Sequence, residues 1–287
     1  MKKLLALLFM VGLYVALVVP LGDHLRERPL NVKLGYTPDA RLLKLVAGGQ
    51  QTILAESMTL KVIFYFGTVI EHWIQQEFVQ PEYFNMFKTI EAAAILDPYN
   101  MDTYYFAQAA FTWELGRAKD VNRLLEHGMK YRDWDESLPF YAGFNSAYFL
   151  QDYDSAAKYM QKAAEVSGNS MYTNLAARFF YEAGDSRMGV AFLETMIRQA
   201  KNPQVKRLYE MRRDVLLAVQ TLETGVADFA ERFGKQPTEL EQLVVRGLIA
   251  ELPLDPYGGQ FFLDDKGRVR TTSKFTEKLA VEPDKGE

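Results

Sequence analysis

Helix-breaking residues recur along the middle of this 287-residue chain at a nearly fixed interval, and that interval restricts the fold more than any other feature. Gly116 and Gly184 stand 68 residues apart, twice 34, and the polar turn at Gln151-Asp152 falls within two residues of the midpoint. Further breaks lie at Asp97-Pro98-Tyr99-Asn100, Asp133-Trp134-Asp135, Gly168-Asn169 and Asn202-Pro203. Each holds residues that end a helix or cap the next one. Between the breaks, apolar side chains return every three or four positions, as in Tyr105, Ala109, Thr112 or Tyr141, Phe144, Tyr148, which is the period of an amphipathic helix. The stretch from about Pro38 to Phe233 therefore reads as consecutive helices of about thirteen to sixteen residues.

Paired helices at this spacing need small residues where their backbones approach. Ala156 and Ala163 supply two such positions, seven apart, in the second helix of one pair. The units on either side keep one each, Gly128 (with Val121) and Gly189 (with Met196). Upstream, Ala93 precedes Pro98 at the spacing that closes such a unit. With Asp152-Tyr153-Asp154-Ser155-Ala156-Ala157 in its turn, the segment Tyr148 to Ala163 resembles a tetratricopeptide repeat, and residues 67–203 as a whole resemble that superfamily. The resemblance implies an all-α fold, a solenoid of helix hairpins in which each unit buries its faces only against its neighbours. Such an array needs caps, assigned to residues 23–66 and to a long helix at 204–233 bearing Leu208, Met211, Val215, Leu216, Val219 and Leu222. An irregular helical bundle is the alternative.

The N-terminus carries a second constraint. After Lys2 and Lys3, the nineteen residues Leu4 to Gly22 are uncharged, and as a helix they nearly span a hydrocarbon core of about 30 Å. A cleaved signal has a shorter apolar region ending in small residues, whereas Ala16 with Val18 and Pro20 with Gly22 present a bulky residue or a proline. Residues 1–22 are therefore expected to be an uncleaved, single-pass anchor. The lysine pair places the body outside the cytoplasm, on the periplasmic side of a bacterial inner membrane, although Arg26 and Arg28 beyond the run weaken that orientation.

Past Phe233 the texture changes. Residues 234–275 open with Gly234-Lys235-Gln236-Pro237-Thr238 and a short helix with Leu240, Leu243, Val244, Leu248 and Ile249 on one side. The turn Asp264-Asp265-Lys266-Gly267 then joins Gln260–Leu263 to Arg268–Thr272 as a β-hairpin. In this order of elements, and in Leu252-Pro253-Leu254-Asp255-Pro256-Tyr257-Gly258-Gly259, the module resembles the C-terminal part of type II secretion pseudopilins. That resemblance implies Asp255, Asp264 and Asp265 as calcium candidates; the competing reading is turn chemistry. Residues 276–287 are polar and expected to be a disordered tail.

The repeat resemblance also implies where a partner binds, because the first helix of each pair lines the concave surface. With units starting at Asp102, Ser137 and Ser170, that stripe holds Phe106, Ala110 and Trp113, then Tyr141, Asn145 and Tyr148, then Asn174, Arg178 and Tyr181. The last six are the expected contacts. Asn145 and Asn174 can meet a peptide backbone, and Arg178 a carboxylate, so an extended peptide or chain terminus is the ligand expected. The alternative has Tyr141 and Tyr148 packing between units and Asn174 bonding locally.

Little catalytic chemistry is available. There is no cysteine, and His24, His72 and His127 lie too far apart in sequence to share a helix face as metal ligands. Asp133 with Asp135 and Asp152 with Asp154 fall in turns, Gly48-Gly49 and Gly258-Gly259 lack the residues of a phosphate loop, and no basic block marks a nucleic-acid binder. The expectation is a non-enzyme without cofactor, a membrane-anchored scaffold that binds other proteins, in a secretion or pilus-like envelope assembly. A metal-assisted envelope enzyme using the C-terminal carboxylates, and a secreted repeat protein after signal removal, stand as alternatives.

Overall fold

The computed structural model describes residues 2–26, 34–273 and 275. Two compact units divide at Leu96 and Asp97. The first contains α1 (Lys2–Arg26), α2 (Ala40–Ala47), α3 (Gln51–Ile74) and α4 (Tyr83–Leu96). In the second, α5 (Met101–Phe106) runs on as a π-helical segment (Ala107–Glu114), followed by α6 (Ala118–Gly128), α7 (Ser137–Tyr148), α8 (Tyr153–Ser167), α9 (Ser170–Ala183), α10 (Ser186–Gln199) and α11 (Pro203–Phe233). A short α12 (Glu241–Val245) and a hairpin of β1 (Phe261–Leu263) and β2 (Val269–Thr271) complete it.

The helices begin where local chemistry starts them. Asn100, Asp152, Asn169, Asp185 and Asn202 each accept an amide bond from the first turn of the helix that follows, and Pro203 occupies the first turn of α11 without losing a bond. Gly168 and Gly184 end α8 and α9 in the left-handed region, at φ 66° and 77°. Consecutive helices then pack on one another from α6 through α11, giving an all-α body of adjacent helix pairs.

The small residues sit at the close approaches. Ala156 and Ala163 are fully buried. A Cβ at Gly189 would lie 2.6 Å from Cδ1 of Leu216 and 3.1 Å from Cβ of Phe180; one at Gly128 would meet the ring of Tyr104 at 2.8 Å. α11 closes the array with Val215, Leu216, Val219 and Leu222 in the interior, and it starts one residue earlier than the sequence reading placed it.

In the first unit, α4, which carries Ala93 of the upstream repeat candidate, packs on α2 and α3. Among the described residues, α3 is the helix long and apolar enough to cross a membrane, and it lies inside the chain rather than at its start. It carries Glu56, Lys61 and Glu71, and 33% of its apolar window is buried in protein. The expected anchor, Leu4 to Gly22, lies within α1, whose shorter apolar stretch is Phe9–Leu21.

In the C-terminal module, α12 is shorter than expected, because Gly247 (φ 68°) reverses the chain and Leu248 bonds back to the carbonyl of Leu243. The hairpin pairs Phe262 with Arg270, as the sequence implies. Its turn is held by Asp264, which accepts from the amides of Lys266 and Arg268, each at 2.9 Å, and from the Arg268 guanidinium at 3.0 Å. Burial acts to raise the Asp264 pKa, but these donors outweigh it and hold it at about 2, below the ordinary 3.8. A depressed folded pKa supplies stability that is complete above about pH 4 and is lost as pH falls through about 2. The hairpin of the parent should therefore lose protection from amide exchange across that window, and Asp264→Asn should abolish the pH dependence while lowering protection at neutral pH. Residues 276–287, the expected tail, lie outside the described residues.

Candidate functional site

An aromatic surface runs across the first helices of three successive pairs. Trp113, at the end of the π segment, is 53% exposed and Tyr148, at the end of α7, is 61% exposed. The Trp113 ring stacks on Phe144 at 5.8 Å, meets Tyr148 at 6.0 Å and stands edge-on to Phe149 at 5.1 Å. Phe144 in turn stacks on Tyr148 at 5.4 Å. The surface continues toward α9 through Phe140, whose ring lies 5.4 Å from Tyr172. Exposed Tyr105 on α5 and half-buried Tyr141 on α7 flank it. Burial raises the Tyr141 pKa, and the neighbouring Tyr105, Asp135 and Tyr172 add to the rise, so its hydroxyl stays protonated and able to donate. Mutually packed rings hold one another in place, which gives a rigid surface that loses little entropy on binding.

The π segment sets the aim of Trp113. A π turn closes five residues back instead of four, so side chains beyond it are rotated relative to an α register. The amide of Arg117 then bonds to the carbonyl of Phe111 at 2.7 Å, ending the helix beside Trp113. Within this segment Ala110, expected on the surface, is buried.

Beneath the aromatics lies a closed amide network. Gln108 and Asn145 exchange two side-chain hydrogen bonds, both 2.8 Å, across the interface of the π segment and α7. Asn145 also donates to Oδ1 of Asn122 at 2.9 Å, and Asn122 donates to Oγ of Ser146 at 3.0 Å and to the carbonyl of Ala142 at 3.2 Å. Asn145 is thus fully buried and spent on this network, which corrects its placement on the surface stripe. Its residue type fits peptide recognition; its partners fix helix register instead.

The third set divides. Arg178 is exposed, while Oδ1 of Asn174 is buried and accepts no hydrogen bond among the described residues. Tyr181 is buried, which corrects the other placement: its hydroxyl accepts from the amide of Thr271 at 2.9 Å, its ring lies 4.9 Å from that of Phe275, and the Arg270 guanidinium sits 5.0 Å from its centre. The C-terminal hairpin thus covers the end of α9, and the open surface stops short of Tyr181.

Two of the three calcium candidates are engaged in local structure. Asp255 is buried, accepting from the amide of Tyr257 at 2.8 Å and from the hydroxyl of Thr271, so it ties the loop to β2. Asp264 is committed to the hairpin turn and Asp265 is exposed. Among the described residues, no three His, Asp or Glu side chains gather as a metal site. Asp255 and Asp264 thus take part in loop and hairpin structure.

No protein-family model, curated protein or solved structure matches the chain. The functional reading rests on this geometry. Tyr105, Phe140, Phe144, Phe149 and Tyr172 join the surface without having been singled out as contacts; the sequence signal for them is the density of aromatics on first helices, in Tyr104-Tyr105-Phe106 and Tyr148-Phe149.

Proposed function

We propose that the chain is a membrane-anchored, extracytoplasmic scaffold of tetratricopeptide-like hairpins that holds an extended segment of a partner protein on its aromatic surface. The observation that carries this reading is the pair of exposed rings, Trp113 and Tyr148, packed on one another and on half-buried Phe144 and Phe149. An extended peptide lays alternate side chains against such rings. Arg178, which makes no ion pair among the described residues, suits a carboxylate on that segment. The anchor reading is supported by α1, in which every described side chain from Phe9 to Leu21 is exposed and apolar or aromatic apart from the glycine and proline. The envelope-assembly setting rests on the C-terminal module's resemblance to pseudopilins.

The test uses the full chain in detergent micelles against a set of labelled extended peptides, with the anisotropy of the peptide label as readout. Trp113→Ala combined with Tyr148→Ala should weaken binding at least thirtyfold, the scale of about 2 kcal/mol for a central aromatic pair. Arg178→Ala should weaken peptides bearing a terminal carboxylate about tenfold and leave the melting temperature unchanged. Equal binding by these variants, or by none of the peptides, would overturn the reading. Mass spectrometry of the mature protein decides the anchor, which requires Leu4 to Gly22 to be retained.

A further inference from the structure

The first unit presents an apolar face that its own core does not use. Within α2, Ala40 and Leu43 turn toward Ala55, Met58, Ala92 and Ala93. On the opposite side, Leu42 is 59%, Leu45 80% and Val46 86% exposed. Gly48 and Gly49 follow, and Ile53 in the first turn of α3 is 67% exposed. Water-facing aliphatics in this number, on one turn of helix, are costly unless something covers them.

The charges beside them select the cover. The α2 segment contains Arg41 and Lys44 and no acidic residue; both are exposed, and neither makes an ion pair among the described residues. At 100° per residue, Arg41 lies beside Leu45 on the exposed arc, and Lys44 lies beyond Arg41 on the same side of it. Exposed aliphatics bordered by exposed cations are the pattern of a helix lying in a lipid interface, with its apolar side among acyl chains and its cations at the phosphates. Reach allows it. Thirteen residues separate α1 from α2, at most about 45 Å of chain, so an anchored α1 holds α2 within that distance and allows it to reach the bilayer surface.

We propose that α2 and the turn to Ile53 form a second, peripheral membrane contact that binds anionic lipid, laying the first unit against the bilayer to which α1 tethers it. The tether in this proposal rests on the anchor reading of α1; the apolar face does not.

The absence of cysteine permits a direct test. The full chain carrying Val46→Cys, labelled with an environment-sensitive fluorophore, is reconstituted into vesicles of phosphatidylcholine with 25% phosphatidylglycerol that contain brominated acyl chains. The label should shift to the blue and be quenched at least threefold more than the same label on Glu165→Cys, an exposed site on α8. Arg41→Glu with Lys44→Glu, or pure phosphatidylcholine, should remove most of that difference. A Val46 label as water-exposed as that on Glu165, in protein that still floats with the vesicles, would overturn this proposal and leave the anchor standing. Failure to float would overturn both. A blue shift that grows with protein concentration in lipid-free detergent would overturn it in favour of contact between copies.

Discussion

Ala163→Glu should unfold the helical array. The parent side chain is fully buried in α8, which packs on α7 before it and α9 after it, so the new carboxylate has no path to water without separating helices. Burying an unpaired charge costs at least about 4–5 kcal/mol, comparable with the whole stability of a typical domain at about 5–15 kcal/mol. Because each pair is stabilised mainly by its neighbours, the loss spreads along the array. Thermal melts followed by circular dichroism should show no cooperative transition for α6 to α11 in the variant, while Glu165→Ala, two positions on and exposed, should melt within about 2 °C of the parent. A variant Ala163→Glu that melted like its parent would exclude the packing described for α8.

Asn145→Leu should be the next most damaging single change. It leaves both ends of the Gln108 amide and Oδ1 of Asn122 without the partner they have now, in a buried site. Unpartnered buried polar groups cost about 1–3 kcal/mol each, so a loss of roughly 3–5 kcal/mol is expected, about 10 °C or more in melting temperature. Gln108→Leu alone should cost nearly as much. The double variant should be less destabilised than the sum of the two by about 1–3 kcal/mol, since the pair then fails together. Strict additivity would mean that the two amides do not act as a unit. The variant should also show weaker peptide binding in proportion to the lost order around Trp113, because the same network lies under the ring surface.

What could be read from the residues and what could not follow a physical division. Helix boundaries depend on contacts a few residues apart, so Asp152, Asn169, Asp185 and Asn202 mark their helices in the bare sequence. The hairpin is equally local, set by the turn at Asp264. The orientation of individual side chains depends on distant partners. Asn145 lies four residues after Tyr141 and three before Tyr148, which suggests one shared surface, but its partner Gln108 is 37 positions upstream and draws it inward. Tyr181 is covered by Thr271, 90 positions downstream. The π segment holds Gln108, so its register is tied to the same remote contact and has no local sign in the Ala-rich sequence around it. The unit boundary at Leu96 likewise reflects which helices α4 packs on, which periodicity alone does not reveal.

The central claim is that the ring surface on the first helices, and no other face of the array, holds the partner segment. Site-specific photocrosslinking in native membranes tests it most directly, with a photoreactive phenylalanine placed in the full chain at Trp113, at Tyr148 or, as the outer-face control, at Glu165. The account predicts one discrete crosslinked species shared by Trp113 and Tyr148, missing at Glu165, and reduced about tenfold by Arg178→Ala. The same species at all three positions, or at Glu165 alone, would contradict it.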